Sequence, residues 1–317
     1  MKPVRRAVID VGTNSIKLLV ADVAGHEVRP VVEVSKQTRL GRGFYQTHRL
    51  QREAIARTAE AVAKFAQTVR DEKASSIRVI ATSAARDAVN AKELTSAIEA
   101  ATGLEVEIIS GEREADWVFQ GVTTDPQLAR VALLLLDVGG GSTEFILGRG
   151  EHKHFRESFP LGTVRLMEEI RISDPPAESE LAACRHRIRT FLKSEVRPKL
   201  EPAIKREVKT YSGEGALQLV GTGGTTSILG RMEAKLETYD RARIEATLLT
   251  MARLHWHVER LWSLPLEERK EIVGLPKNRA DVILTGAAIY EGIMEEFGFA
   301  ELRISTRGLR FAVVMAR

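Results

Sequence analysis

The sequence has little of several features that mark specialised classes of protein. Its one cysteine, Cys184, excludes an intrachain disulfide framework and a cysteine-rich zinc site. No apolar run is longer than residues 131–136, far short of the roughly 20 residues that span a bilayer. Asp10 and Asn14 interrupt any apolar segment behind the basic start, so we expect no export signal. These absences predict a cytoplasmic protein without membrane contacts.

Aromatic residues and net charge are also low. Aromatics make up 5% of the chain, too few for a surface on which bases would stack. The formal net charge is only +4, and no run of five or six lysines or arginines occurs. These features argue against nucleic acid as a partner. The slight positive charge suits a small anionic substrate better.

One short pattern occurs twice in the 317 residues, a length that suggests two domains. An apolar strand, the turn Asp-Val-Gly-x-x-Ser and a second apolar strand occupy residues 6–20 and again 134–147. The copies are about one domain length apart, as expected of a duplicated domain. An amphipathic helix at 52–70 and a strand at 77–81 follow the first copy. This alternation predicts an α/β fold with helices against mixed sheets.

The boundary between the domains is predicted from a break in this pattern. Asp125-Pro126 interrupts the alternation, so we place the first domain at 1–125 and the second at 126–304. Within the second domain, residues 242–261 are predicted to be one helical stretch.

The turns of the two repeats are candidate phosphate-binding loops. Their backbone N–H groups and hydroxyls suit phosphate oxygens, and neither turn matches the Walker pattern of P-loop NTPases. A tight hairpin alone would also favour glycine and asparagine. Because both copies follow a strand-end aspartate, we favour phosphate binding. The predicted ligands are Gly12, Thr13, Asn14 and Ser15 in the first turn and Gly139, Gly140, Gly141, Ser142 and Thr143 in the second.

Carboxylates beside these turns are candidate metal ligands. Asp10 and Asp137 end their strands, where oxygen ligands could hold Mg²⁺ next to a phosphate loop. Either could instead stabilise its own turn. Glu144 lies two residues after Ser142 and so shares its face of the strand. It could lie over the phosphate, or be an ordinary exposed carboxylate.

Two further segments carry groups suited to phosphate chemistry. Residues 81–90 leave a strand with the Ser83 hydroxyl and the Arg86 guanidinium, which together could clamp a phosphate. Glu112 and Glu114 lie in the first turn of a predicted helix, where the helix dipole favours carboxylates in any case. The residues alone do not distinguish which glutamate acts in catalysis.

Several motifs occur in a characteristic order along almost the whole chain: residues 10–15, 81–86, 110–115, 137–144, 161–166, 221–225, 278–281 and 308–310. Together they resemble the exopolyphosphatase / guanosine pentaphosphate phosphohydrolase (Ppx/GppA) family, within the actin-like superfamily. The segments Ala-Thr-Ser-Ala and Ser-Gly-x-x-Glu-Ala make the resemblance specific.

This resemblance implies two actin-like, ribonuclease H-like domains with the active site in the cleft between them. The segment 305–317 is implied to return to the first domain. By the same resemblance Glu114 is the general base and Arg86 binds phosphate. The resemblance also associates Asp137 and Glu144 with the metal and the catalytic water, and both Gly/Ser turns with phosphate. We add Asp10 as a further metal ligand and Gly223, in the 221–225 motif, as a phosphate ligand.

The implied activity is hydrolysis of the terminal phosphate of a phosphoanhydride chain with Mg²⁺ or Mn²⁺. Inorganic polyphosphate is the first choice of substrate and guanosine pentaphosphate is the second, with guanosine penta- or tetraphosphate as an alternative binding partner. A phosphotransferase of the same superfamily and a sensor that binds without turnover are the alternatives. Because the sequence lacks the C-terminal domains of longer relatives, short chains are the expected substrates; a homodimer would offer another route to a long basic channel.

Overall fold

The computed structural model describes residues 2–210 and 216–316 and contains two compact units. The first comprises residues up to Thr124 together with those from Arg307 onward, and the second comprises Asp125–Thr306. Each unit is a mixed β-sheet flanked by helices, so the predicted fold class is confirmed. Within the described residues, no helix combines the length and apolar character that crossing a membrane requires.

The strands are β1 Val4–Val11, β2 Ser15–Ala24, β3 Glu27–Gln37, β4 Ile77–Ala81, β5 Val106–Ile108, β6 Ala132–Val138, β7 Thr143–Arg149, β8 His152–Phe159, β9 Gln218–Thr222, β10 Leu248–Thr250 and β11 Glu301–Ile304. The helices are α1 Arg52–Asp71, α2 Ser83–Arg86, α3 Ala91–Thr102, α4 Gly111–Val122, α5 Thr163–Ile170, α6 Glu178–Phe191, α7 Arg197–Thr210, α8 Gly223–Glu233, α9 Arg241–Glu245, α10 Met251–Ser263, α11 Leu266–Arg269, α12 Ile283–Phe297 and α13 Leu309–Met315. A π-helical turn, Leu192–Val196, joins α6 to α7.

The sheet of the first unit has the order β3-β2-β1-β4-β5. Strands β1, β2 and β3 are antiparallel, and β4 and β5 run parallel to β1. Helix α1 covers the sheet with an apolar face that includes Val62 and Phe65, because these residues recur at helical spacing. The last helix, α13, packs so closely on α4 that a Cβ on Gly121 would lie 1.9 Å from the Gly308 carbonyl oxygen.

The sheet of the second unit has the order β10-β11-β9-β6-β7-β8. Its central strand β6 is buried over residues 132–136, and helix α12 is buried along most of its length. A strand with both faces covered is apolar throughout instead of alternating. This explains why 131–136 is an uninterrupted apolar run in the sequence.

The prediction of one helical stretch at 242–261 is wrong. Helix α9 ends at Glu245, and the chain then forms β10, which pairs with β11 and buries Leu249. The Thr250 hydroxyl accepts a hydrogen bond from the Arg253 amide at 3.3 Å and so caps a new helix, α10. A threonine cap and a sheet partner distant in sequence therefore override the helical spacing.

Candidate functional site

The polar residues predicted to act in the first unit follow the carboxyl ends of its parallel strands. Strands β1, β4 and β5 are parallel and in register at Val11, Ala81 and Ile108, so the segments that follow them lie side by side. The Thr82 amide donates to the Val11 carbonyl at 3.2 Å, and the Ile109 amide donates to the Ala81 carbonyl at 3.0 Å. Ligands commonly bind outside the carboxyl ends of strands in α/β sheets.

The first turn directs its carbonyl groups to one side. The Thr13 carbonyl accepts from the Gly41 amide at 2.7 Å, and the Asn14 carbonyl accepts from the Arg39 amide at 2.9 Å. In a planar trans peptide the C=O and the following N–H point in opposite directions. The N–H groups of Asn14 and Ser15 therefore point away from the 38–41 segment, as an anion-binding turn requires.

The second turn is built in the same way. The Gly139 and Gly140 carbonyls accept from the Thr163 and Val164 amides at 3.0 and 2.8 Å. The Gly141 carbonyl accepts from Arg165 Nε at 3.0 Å. Consequently the N–H groups of residues 140–142 all face away from the start of helix α5. The repeated sequence thus forms a repeated local structure, in which a neighbouring segment fixes the peptide planes of each turn.

The first turn also holds buried polar atoms without partners. Within the described residues, Asn14 Nδ2, Ser15 Oγ and Ser83 Oγ have no hydrogen-bond partner, although these residues are only 6%, 5% and 3% exposed. Buried polar groups are nearly always hydrogen-bonded, so an orphaned set needs an explanation. All three can donate a hydrogen bond. A bound anion would satisfy them together.

Buried Glu114 and half-buried Arg86 form an ion pair among the segments that follow the parallel strands. Arg86 Nη1 donates to Glu114 Oε2 at 3.0 Å and to the Ile109 carbonyl at 3.2 Å, which fixes both side chains. The Ser110 hydroxyl caps helix α4 by accepting from the Arg113 amide. Glu114 is 8% exposed, whereas Glu112 in the same helical turn is exposed. The structure thereby separates two glutamates that the sequence could not.

Three polar residues lie in one row across the second sheet. Asp137 on β6 is opposite Glu144 on β7, which is opposite Ser158 on β8. The hydroxyls of Ser142 and Ser158 donate to Glu144 Oε1 at 2.9 and 2.7 Å. Cross-strand neighbours in an antiparallel pair have Cβ atoms about 5 Å apart. Two carboxylates therefore lie side by side, one of them held by two serines.

The Asp137 carboxylate lies against the junction between β9 and helix α8. Gly223 has φ +88°, and a Cβ there would lie 2.2 Å from Asp137 Oδ1. The hydroxyl of Tyr290 donates to the Leu136 and Thr222 carbonyls, both at 3.4 Å, and so joins the ends of β6 and β9. Burial raises the pKa of Tyr290, so its hydroxyl remains a donor. The Asp137 carboxylate can occupy this position only because residue 223 is a glycine.

We expect Gly223→Ala to lower the kcat of the phosphate hydrolysis that the family resemblance implies by about 100-fold. The added Cβ would displace the Asp137 carboxylate, and a shift of about 1 Å can have that effect. The neighbouring Gly224→Ala is the matched control, since its Cβ would be no closer than 3.6 Å to another heavy atom, Arg279 Nη2. Steady-state kinetics and thermal melting of both variants test this. Equal losses in the two variants would contradict the role of Gly223.

The second unit holds a pair of neighbouring carboxylates, Asp137 and Glu144. Within residues 2–210 and 216–316, no group of three or more His, Cys, Asp or Glu side chains could hold an ion. Mg²⁺ commonly uses one or two carboxylates and takes its other ligands from water and phosphate, so Asp137 and Glu144 fit it. Asp10 differs: it is opposite Lys17 on β2, and its Oδ1 is buried without a partner. Burial raises the pKa of Asp10, although the charges of Lys17 and Arg310 oppose that effect.

Some site residues could not be found from the sequence. Ser158 and Tyr290 reach the site through the β8 register and helix α12, and only counting along the β7-β8 hairpin could have indicated Ser158. The Thr143 hydroxyl, predicted to bind phosphate, donates to the Leu161 carbonyl at 2.5 Å and belongs to the scaffold of the turn.

A comparison with known protein families establishes the family membership that the motifs suggest. Residues 19–316 match the Ppx/GppA phosphatase family. The chain belongs to this family. Its Ppx/GppA relatives include exopolyphosphatase 2 of Mycobacterium tuberculosis strain H37Rv, which is 34% identical over 98% of both chains.

Solved structures of Ppx/GppA proteins share the fold. An exopolyphosphatase from Cytophaga hutchinsonii superposes with a TM-score of 0.84 and 25% identity, covering 98% of this chain and 96% of that one. The Aquifex aeolicus Ppx/GppA enzyme gives a TM-score of 0.76 with 28% identity, over 99% of this chain and 100% of that one. This Ppx/GppA chain therefore shares its fold with these structures over nearly all of its length.

Proposed function

We propose that the protein is an exopolyphosphatase that hydrolyses the terminal phosphoanhydride bond of inorganic polyphosphate. The observation that carries the proposal is the buried Glu114 carboxylate, fixed by Arg86 beside a turn whose buried donors lack partners. A carboxylate in that position is a suitable proton acceptor, and the donors suit phosphate oxygens. The names of the relatives, exopolyphosphatases among them, support the same substrate class.

Glu114 takes a proton from the water that attacks the terminal phosphorus. A new P–O bond forms to that water oxygen and the bridging P–O bond breaks, so orthophosphate and a chain shorter by one phosphate leave. In the first unit, Arg86 and the N–H groups of Asn14 and Ser15 bind phosphate oxygens and stabilise their charge as it redistributes. The N–H groups of residues 140–142 offer the same kind of donor in the second unit. Ser83 and Gly223 complete the proposed phosphate contacts.

Asp137 and Glu144 would hold a divalent ion, Mg²⁺ or Mn²⁺. When bound, such an ion neutralises phosphate charge and acts as a Lewis acid. The Ser142 and Ser158 hydroxyls keep Glu144 oriented for this role by donating to the same carboxylate oxygen. The two carboxylates alone are expected to bind Mg²⁺ weakly until substrate oxygens add to the ligand set.

The decisive measurement is phosphate release from tripolyphosphate with Mg²⁺ and with excess chelator. We expect release only with the metal. Tight tripolyphosphate binding without release would instead indicate a sensor, and transfer of phosphate from ATP to an acceptor would indicate a phosphotransferase. The same assay with guanosine pentaphosphate tests the second substrate.

We expect kcat/KM for polyphosphate, expressed per chain end, to level off or fall as the polyphosphate chain lengthens. Two of the basic side chains away from the turns are already paired, Lys277 with Glu271 at 2.9 Å and Lys199 with Glu157. Additional phosphates would have to compete with these carboxylates, and salt screens such exposed contacts over about 8 Å. A length series at constant chain-end concentration tests this. Processive digestion of very long chains without released intermediates would contradict it.

A further inference from the structure

The two turns differ in what holds the carbonyl group before their serine. In the first unit, the Asn14 carbonyl accepts from two main-chain amides, those of Thr38 and Arg39, at 3.2 and 2.9 Å. In the second unit, the corresponding Gly141 carbonyl accepts from a side-chain atom, Arg165 Nε, at 3.0 Å. Main-chain donors remain when side chains are substituted, whereas a side-chain donor can be removed. The second turn thus depends on a side chain where the first depends on main-chain amides.

The composition of the second turn makes this contact important. Residues 139–141 are three consecutive glycines, whereas the first turn has Thr13 and Asn14 after its glycine. Glycine adopts a wider range of backbone conformations than any other residue, so the Gly141–Ser142 peptide is less restrained by its own residues. The C=O and the following N–H of a trans peptide point in opposite directions. A contact that holds the Gly141 carbonyl therefore also sets the direction of the Ser142 N–H.

Arg165 occupies a place that helix α5 itself does not favour. It is the third residue of the helix, which begins at Thr163 after the N-cap Gly162. A positive charge in the first turn of a helix is opposed by the helix dipole. Arg165 is also half-buried, and burial of a charged group costs free energy unless hydrogen bonds compensate. The hydrogen bond to the Gly141 carbonyl supplies such compensation, so this contact gives a reason for an arginine at position 165.

We propose that Arg165 is a positioning residue for the second phosphate-binding turn, acting through Nε on the Gly141–Ser142 peptide. By holding the Gly141 carbonyl against the start of α5, it keeps the Ser142 N–H on the opposite side, where phosphate oxygens would bind. This inference rests on the proposed function for the identity of the anion. All of the residues involved belong to the second unit. Since the role belongs to Nε, it requires a hydrogen-bond donor at that atom and not the guanidinium charge.

Three substitutions of Arg165 separate the donor from the charge. Arg165→Gln places an amide nitrogen as many bonds from Cα as Nε is, and it removes the charge. Arg165→Lys keeps the charge but has a methylene carbon at that place, and Arg165→Met has a methyl group there. Isothermal titration calorimetry of the intact protein in excess chelator measures the affinity for tripolyphosphate. Arg165→Lys and Arg165→Met should weaken binding about tenfold, the effect of losing the hydrogen bond from the Ser142 N–H to a charged phosphate. Arg165→Gln should stay within about threefold of the unsubstituted protein.

Arg171→Met is the matched control, because it removes the same charge from an exposed arginine at the other end of α5 and should leave the affinity unchanged. Thermal melting of each variant shows whether a loss of affinity merely follows a loss of stability. Retained affinity in Arg165→Lys together with a loss in Arg165→Gln would overturn the inference, because the charge would then be what matters. Unchanged affinity in Arg165→Met, or equal losses in all three variants, would overturn it as well. The readout requires no turnover, so a protein that binds in the expected order but releases no phosphate with Mg²⁺ would contradict the proposed function and leave the role of Arg165 intact.

Discussion

Glu114→Gln is expected to lower kcat for tripolyphosphate hydrolysis by about 10²- to 10⁴-fold, the usual contribution of a general base. The amide oxygen can still accept the hydrogen bond from Arg86, so the local structure should survive. Affinity for tripolyphosphate should change little, because the substitution removes a proton acceptor and not a phosphate ligand. Single-turnover kinetics together with equilibrium binding separate the two effects.

Glu112→Gln is the matched control for this substitution. It makes the same chemical change in the same first turn of α4 and removes a similar interaction with the helix dipole, but its side chain is exposed. We expect its kcat to stay within about threefold of the unsubstituted enzyme. If Glu112→Gln were the more damaging change, the assignment of the base to Glu114 would be wrong.

Asp137→Asn and Glu144→Gln are expected to reduce activity at least 100-fold at millimolar Mg²⁺ and to raise the Mg²⁺ concentration needed for half-maximal rate. Both carboxylates would hold the cation, and removing even a supporting residue of a metal site commonly has a 10- to 100-fold effect. Ser158→Ala removes only one hydrogen bond to Glu144, so its loss should be about tenfold. Hydrolysis rates measured across a Mg²⁺ titration show whether the loss of activity in Ser158→Ala is smaller than in Asp137→Asn and Glu144→Gln.

Glu157→Gln provides the control for these carboxylates. Glu157 precedes Ser158 on β8, is opposite Phe145, and pairs with Lys199 on the surface. Exposed ion pairs contribute at most about 1 kcal/mol to stability, so this variant should keep its Mg²⁺ dependence. Undiminished hydrolysis by the unsubstituted enzyme in excess chelator would contradict the metal assignment altogether.

Local patterns were sufficient to predict the architecture. The repeated Asp-Val-Gly-x-x-Ser turns and the alternation of strands and helices predicted two α/β units with mixed sheets, and the structure and family membership confirm the fold. Turn chemistry and strand alternation are set by residues a few positions apart, so they can be recognised in the sequence. The predicted helix at 52–70 corresponds to α1 for the same reason.

The details of the candidate site depend on contacts between residues far apart in the chain. Glu112 and Glu114 lie in the same helical turn, and only tertiary structure distinguishes them: Glu114 is buried and accepts a hydrogen bond from Arg86. Tyr290 enters from a helix whose position no local pattern specifies. The roles assigned to these residues stay predictions for the experiments above.

The contacts between the two turns and their neighbouring segments determine which positions tolerate substitution. Since main-chain N–H groups supply most of the donors, the side chain of Thr13 could vary without removing them. Gly41 and Gly162 do not tolerate a side chain. A Cβ on Gly41 would lie 2.3 Å from Thr13 Cγ2, and one on Gly162 would lie 2.5 Å from the Gly141 carbonyl carbon. Mutational tolerance should therefore be greater at Thr13 than at Gly41 and Gly162, although these two glycines supply none of the N–H groups proposed to bind phosphate.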